Sequence, residues 1–446
     1  MTFISQPKKE IPIIYEADVC VLGGSCTGLF AAIRAARLGA KVVVIEKNNC
    51  LGGTATAGLV NIWHSLFDTD YKEQVIAGLT DEFEQRLLRE NALVFENNVS
   101  VGCRFNPARL ACLLDEMANE NNIKLFLHTY YSDVITEKDK INAVIVNNKN
   151  GVGAIQAKFF IDASGDGDIA RDIGLESYKY DYLQPPTSCF YIQGNTDDCN
   201  ISQVIADHGK EFGLDDDWGW YGTVPNLKNI SFRADNHIFD VDCSNADDLT
   251  KAEIEGRRKA KAFTDMFKKY CNSDIELVSL CSNIGIRDTL HYKTRFKASE
   301  IELLTKNNYD DVILKGTYRI DMHHQNDNGI TFKYLDGTYV TLFGKDERTE
   351  KGNWRDELGI NSEVLKYYSV PFDILVQEKF SNFIPVGRML NADSAAFGAL
   401  RVMVNLNQLG EAAGVAAYMC IDANKSVQEL NGISVKNKLN KGGSTL

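Results

Sequence analysis

The sequence predicts an α/β fold: a parallel sheet built on a strand-helix-strand unit, with a mixed α+β domain inserted into the chain. Three observations carry this. Ala17 to Leu22 and Lys41 to Glu46 are short β-type runs, and they bracket residues 26–40, where apolar side chains recur at helical spacing and Gly39 closes the segment. Two strands joined by a helix over so short a stretch must cross over right-handed, which makes them parallel neighbours. The middle of the chain then turns aromatic and Asp/Asn-rich, before small residues return towards the C-terminus.

The remaining elements follow in order. Asn106 and Pro107 start a helix through ARLACLLDEMANENN, because an Asn cap followed by Pro is a favoured N-terminus. IKLFLH, the hairpin-like DVITEKDKINAVIV and the strand KFFIDASG (158–165) extend the first sheet. Residues 176–375 hold the turn signals Leu183 to Pro186 and Leu214 to Gly219 among alternating strand candidates, and read as an inserted substrate or cap domain. FIPVGRML (383–390) reads as a strand ending in a glycine turn, and residues 407–423 as a strong helix. The expected division is 1–175 plus 376–430 as one discontinuous domain and 176–375 as the other, with 431–446 as a polar surface tail.

Composition removes several function classes. Sixty-one acidic residues against 48 basic ones give a net charge of −13, which disfavours nucleic acid as a partner. The start, with Lys8 and Lys9 before a brief apolar run, does not show the long apolar stretch expected of a secretory signal, and no apolar run is long enough to span a membrane as a helix. Eleven cysteines without a Cys-x-x-Cys pair suit a reducing compartment in which each is a small buried hydrophobe, so the expected location is cytoplasmic. Cys26 and Cys50 fall under the same reading. Asp321, His323 and His324 do not make a metal site, since adjacent histidines rarely point at one ion and no cysteine stands near.

Gly23-Gly24-Ser25-Cys26-Thr27-Gly28 lies between the first strand and helix, and Glu46 ends the second strand. Small residues let backbone amides approach a pyrophosphate at a helix N-terminus, while a carboxylate after the second strand accepts ribose hydroxyls. This is a Rossmann-like dinucleotide signature, although Ser25 stands at the usual second glycine. Lys47 then leads into a second glycine-rich stretch, Leu51-Gly52-Gly53-Thr54, which would run along a flat extended ligand and points to a flavin.

At these residues the chain resembles the FAD-dependent oxidoreductases of the glutathione-reductase-like fold, in the branch near the fumarate reductase and succinate dehydrogenase flavoproteins. Residues 160–168, with Ala163, Gly165 and Asp166, resemble the family's turn at the adenosine end of FAD. Pro385 to Arg388, with Gly387 and Arg388, then Gly398 to Met403 and Gly410 to Gly414, with Gly410 and Ala412, resemble its closing flavin motif. The resemblance covers about half the chain, and Ser394 stands where many relatives carry histidine. It implies a helix N-terminus near Leu409 to Ala412 beside the flavin N1 and C2 carbonyl, where the helix dipole would stabilise charge on reduction.

The substrate side has four candidates. His64, just beyond the second glycine loop, titrates in a useful range for proton transfer but equally suits interior packing beside Trp63. The resemblance places Arg287, His323 and Arg401 near the ring, where they would clamp an anionic or carbonyl group or form structural ion pairs. The expected function is an FAD-dependent oxidoreductase transferring a hydride between a small organic substrate and flavin N5. A flavin monooxygenase and a flavin-less binding module on the same fold are the alternatives. One nucleotide fingerprint implies no dedicated NAD(P)H domain, which leaves the electron donor or acceptor unnamed.

Overall fold

The first unit forms as the pattern predicts: β1 (Ile13–Leu22) leads into α1 (Cys26–Arg37) and β2 (Val42–Ile45), and Val19 to Leu22 pair in parallel with Val42 to Ile45. This is a computed structural model, and it describes residues 2–4, 10–98, 101–196, 199–215, 219–306, 308–324, 329–343 and 348–446. Lys8, Lys9 and residues 216–218 of the Leu214 to Gly219 turn lie outside the described residues. Next come β3 (Ile62–Trp63), α2 (Leu79–Arg89), β4 (Leu93–Asn98), β5 (Val101–Phe105), α3 (Pro107–Glu120) and β6 (Lys124–Phe126). The hairpin β7 (Tyr130–Glu137) and β8 (Lys140–Asn148), then β9 (Gly151–Asp162) and α4 (Asp168–Asp172), complete the first half. Asn106 caps α3 by accepting the N–H groups of Ala108 and Arg109, so the Asn-Pro start works as expected.

The main sheet runs β6-β2-β1-β9-β8-β7. Early in β9 the edge is taken by β8, in antiparallel register over Ala143 to Asn148. Late in β9 the same edge is taken by a strand from far along the chain, Phe383 to Pro385, parallel to Phe160 to Asp162. The carboxyl ends of four segments therefore share one edge: Leu22, Ile45, Asp162 and Pro385. A parallel sheet presents its ligand crevice at that edge.

The middle of the chain forms β10 (Ser177–Tyr178), β11 (Phe190–Gln193), α5 (Ile201–His208), β12 (Tyr221–Thr223), β13 (Ile230–Arg233), α6 (Ala246–Tyr270), β14 (Glu276–Leu280) and β15 (His291–Tyr292). It continues with α7 (Glu300–Thr305), β16 (Val312–Gly316), β17 (Ile320–His323), β18 (Gly329–Lys333), β19 (Thr338–Phe343), β20 (Thr349–Asn353), α8 (Trp354–Glu357) and β21 (Tyr368–Pro371). Only part of it has its own core. The sheet β12-β13-β11-β14 and the helices α5 and α6 bury Phe190, Ile192, Phe263 and Phe267 among themselves. Ile313, Leu314, Val370 and Phe372, by contrast, belong to the same apolar cluster as α1.

The closing stretch is β22 (Phe383–Pro385), α9 (Ser394–Leu400), α10 (Met403–Ala423) and α11 (Gly432–Lys441). Three expectations need correction here. The long helix starts at Met403, four residues before the Asn407 that its composition suggests, because Val402 adopts extended backbone and ends α9's turn. Residues 431–446, expected as a polar surface tail, are a docked helix and strap: Val435 and Leu439 are buried in the main core, and Arg34 donates to the carbonyl of Gly442 at 2.5 Å. Their spacing of four places both on one helix face. Finally, Cys199 and Cys271 form a disulfide that ties the start of α5 to the end of α6, so these two cysteines are not inert packing.

The α1–α10 contact needs glycine. A Cβ on Gly410 would run into the carbonyl oxygen of Thr27, and one on Gly414 into that of Ala31. The two backbones are thus in direct contact, which is the physical reason for the Gly-x-x-x-Gly spacing.

Candidate active site

An elongated cavity of about 1000 Å³ opens along the carboxyl edge of the main sheet. At one end it is walled by backbone. Gly23 leaves β1 with φ of +101°, and any Cβ there would collide with Ala163 at the end of β9. Ser25 caps α1, its Oγ accepting the N–H of Gly28 at 3.3 Å. With φ of −59° that position makes no demand for glycine, so the departure at Ser25 costs the turn nothing. The N–H of Gly52 donates to the carbonyl of Gly24 at 2.8 Å and lays the second glycine loop beside the first.

Glu46 is 6% exposed, and its carboxylate accepts the N–H of Gly24 at 2.7 Å and that of Asn48 at 2.8 Å. Each oxygen keeps a further lone pair for a hydroxyl. On the neighbouring strand Asp162, wholly buried, accepts from Ser164, Ile169 and Ala170 and so fixes the turn carrying Ala163 and Gly165. Burial, then Asp168, pushes the Asp162 carboxyl up to about 6. Arg388 packs over Gly165 and pairs with Asp166 at 2.5 Å. These parts fit a dinucleotide: a cradle closed to side chains, amides at a helix N-terminus and a carboxylate at the next strand end.

At the other end the cavity is walled by side chains. His64, from the segment after β3, stacks on Tyr318 with ring centres 3.9 Å apart. The Tyr318 hydroxyl donates to Asp321, and burial, followed by the Asp321 charge, pushes the phenol pKa up, so it keeps its proton. The Nε2 of His323 lies 3.3 Å from Asp321 Oδ1, and Arg401 Nη2 lies 3.5 Å from the same oxygen. Burial, then the charges of Arg287, His237 and Arg401, hold His323 well below the usual imidazole range. Arg287 donates to the Pro185 carbonyl at 2.7 Å, to Thr187 Oγ1 and to His237 Nε2 at 3.1 Å.

All four substrate-side candidates, His64, Arg287, His323 and Arg401, line this one cavity. So do Gly23, Ser25, Cys26, Thr27, Glu46, Lys47, Gly52, Gly53, Thr54, Ala163, Gly165, Asp166, Gly387 and Arg388. Gly24, Gly28, Gly410 and Ala412 do not line it: Gly28 packs on Gly23 and Gly410 on Thr27. The expected contact at Leu409 to Ala412 is replaced by Val402, Met403 and Leu406, because α10 begins at Met403. Cys26 donates to the Gly52 carbonyl at 3.7 Å, and burial pushes its thiol up to about 12.

Tyr318, Arg319 and Asp321 also line the cavity, and they lie in Gly316 to His323, a segment that resembles one lining the family's active site; Trp220 and Tyr221 were missed. These two carried no local signal. Among the described residues no group of three or more His, Cys, Asp or Glu could hold a metal. No helix among them is long and apolar enough to cross a membrane.

The chain is 29% identical over 183 residues to thiamine thiazole synthase of Aeropyrum pernix, covering 38% of this chain and 62% of that protein. It is 29% identical over 170 residues to digeranylgeranylglycerophospholipid reductase 2 of Methanothermobacter thermautotrophicus, covering 36% of this chain and 42% of that one. The chain thus spans less than two thirds of the length of either relative. A geranylgeranyl bacteriochlorophyll reductase-like protein from Thermoplasma acidophilum superposes with a TM-score of 0.45 at 12% identity, over 96% of this chain and 82% of that one. The family described as FAD dependent oxidoreductase matches residues 18–439, nearly the whole length, and the chain belongs to that family.

Proposed function

We propose that this FAD-dependent oxidoreductase transfers a hydride between flavin N5 and a small organic substrate that carries a carbonyl or carboxylate oxygen. The single observation behind the reading is that one cavity joins the cradle at Gly23 to Thr27 with the cluster of His64, Arg287, His323 and Arg401. FAD, when bound, supplies the two-electron chemistry. The chain's own residues do the rest. Ser25, Cys26, Thr27, Gly52 and Gly53 would hold the diphosphate through backbone amides, and Glu46 the ribose. Arg401 and Arg287 would orient the substrate oxygen with fixed planar donors and balance charge that develops there.

Burial and the neighbouring cations keep His323 neutral, so at neutral pH its imidazole would meet the substrate oxygen as an uncharged hydrogen-bonding group beside the charged Arg287 and Arg401. Asp321 Oδ1 lies 3.3 Å from His323 Nε2, and the Tyr318 hydroxyl fixes that carboxylate by donating to its Oδ2. In this reading residues 1–175 and 376–430 carry the cofactor and lend His64 and Arg401 to the substrate side, 176–375 supply the rest of that side, and the likeness to fumarate reductase flavoproteins rests on the quoted segments alone.

The test is anaerobic mixing of the yellow protein with sugars, hydroxy acids, amines and enoates while following bleaching of the flavin band. A compound that bleaches it supports the reading. Arg401→Gln should slow that bleaching by about 100-fold with FAD retained, and His64→Ala should slow it without emptying the site. A protein that binds no FAD would overturn the assignment.

A further inference from the structure

Gln184 does not line the cavity, yet it touches two of the groups that do. Its side chain is 4% exposed and its Oε1 accepts from Arg401 Nη2 at 3.1 Å and from the backbone N–H of His323 at 3.4 Å. Arg401 follows α9 and His323 ends β17, so one amide oxygen pins two segments that the chain brings together only in the fold. Arg401 already has the Asp321 carboxylate at 3.5 Å, and a neutral acceptor orients the guanidinium without adding a second negative charge.

Gln184 is itself firmly held. Its backbone N–H donates to Oδ2 of Asp288 at 3.2 Å, and Oδ1 of Asp288 lies 3.0 Å from His291 Nε2. His291 Nδ1 donates to the carbonyl of Leu390 at 3.0 Å. The Asp288 and His291 side chains are wholly buried, and Tyr178, Tyr180 and Phe397 close around the imidazole. Pro185 and Pro186 restrict the backbone beyond it. Among the described residues, the Gln184 Nε2 is buried without an acceptor, as is the Arg401 Nε. A buried amide left half-satisfied in a native structure calls for a reason, and apolar packing alone would not need an amide there.

We propose that Gln184, anchored by the buried Asp288–His291 couple, is a positioning residue that sets Arg401 and His323 for the reaction. This rests on the reading that Arg401 and His323 act on substrate. Its test does not depend on turnover. In the full-length FAD-loaded protein, the seven histidines are followed by 13Cε1 NMR against pH, with His323→Asn assigning the His323 signal. The groups facing His323 are Asp321, Arg287, His237, Arg401 and His324.

Gln184→Glu puts a carboxylate against that set and should raise the His323 midpoint by about one pH unit, tenfold in proton affinity. Should that variant not fold, Gln184→Met keeps the volume and removes the acceptor. It should make Arg401 at least about fivefold more reactive to phenylglyoxal, mapped by mass spectrometry, because the guanidinium loses the shorter of its two hydrogen bonds and keeps only the one to the Asp321 carbonyl at 3.3 Å. Folded variants with His323 titrating as in the parent and Arg401 equally reactive would overturn the assignment while leaving the functional reading intact. Failure to find a substrate would do the reverse.

Discussion

The two ends of the cavity are made of different materials. The end at Gly23, Ser25, Gly52 and Gly165 is backbone, shaped by glycines and helix starts that lie within a few residues of each other along each strand end. The end at His64, Tyr318, Asp321, His323 and Arg401 is side chains, drawn from segments scattered over most of the chain. A backbone cradle depends on local conformation, so it is tolerant of side-chain chemistry but not of side-chain volume. A side-chain cluster depends on tertiary packing, so it tolerates neither a lost charge nor a shifted support.

That contrast is open to attack from both sides. The largest effect is expected at Gly23→Val, where the side chain would be forced into Ala163 at a positive φ. Loss of essentially all bound flavin, read as the ratio of flavin to protein absorbance in the purified variant, is the expected outcome; a fully yellow variant would mean the cradle is misplaced.

A smaller effect concerns the layer beneath His64. Glu84 of α2 is buried against Cys103 of β5, which pairs with Trp63, and burial, only partly opposed by the Cys103 thiol, pushes its carboxyl up to about 8 from 4.5. A carboxyl that holds its proton more tightly folded than unfolded contributes stability that is fully present below about 4.5 and lost as pH rises through about 8. Glu84→Gln should therefore flatten the fall in stability across that window, by on the order of a few kcal/mol at its alkaline end. Urea melts of both proteins at acidic and alkaline pH check it, and parallel pH profiles would refute the buried-carboxyl account.

The smallest effect is at Ser25→Gly. Glycine there is also a competent cap, so the expected loss is a few tenths of a kcal/mol, around 0.3, with flavin retained. A loss of about 2 kcal/mol or more would show that the Ser25 hydroxyl does more than cap α1.

The same contrast explains how much of the molecule is legible in its sequence. The βαβ unit, the Asn106-Pro107 helix start, the hairpin and the strand at Phe383 to Pro385 can all be read there, because each rests on local periodicity and capping. The start of α10 cannot, since Met403, Val404 and Leu406 are apolar and differ little from the residues of the helix beyond them; only the tertiary contact with the cavity marks them. Gly410 reads as a flavin contact because close approach of a glycine backbone looks the same in sequence whether the neighbour is a ligand or, as here, Thr27 of α1. Gln184 is invisible as a site residue for a related reason: its role comes from hydrogen bonds to Arg401 and His323, partners that no spacing along the chain reveals. The disulfide between Cys199 and Cys271 likewise arises from how α5 and α6 pack, and their separation of 72 residues gives no hint of it.

The central claim is that one FAD lies along this cavity, held at Glu46 and the α1 N-terminus. Titrating FAD into flavin-free protein and following the quenching of its fluorescence tests this directly. The account predicts one FAD per chain, with affinity weakened by about tenfold or more in Glu46→Ala, since the buried Gly24 N–H, the partly buried Asn48 N–H and the ribose lose their acceptor together. Unchanged affinity in that variant, or no binding by the parent protein, would contradict it.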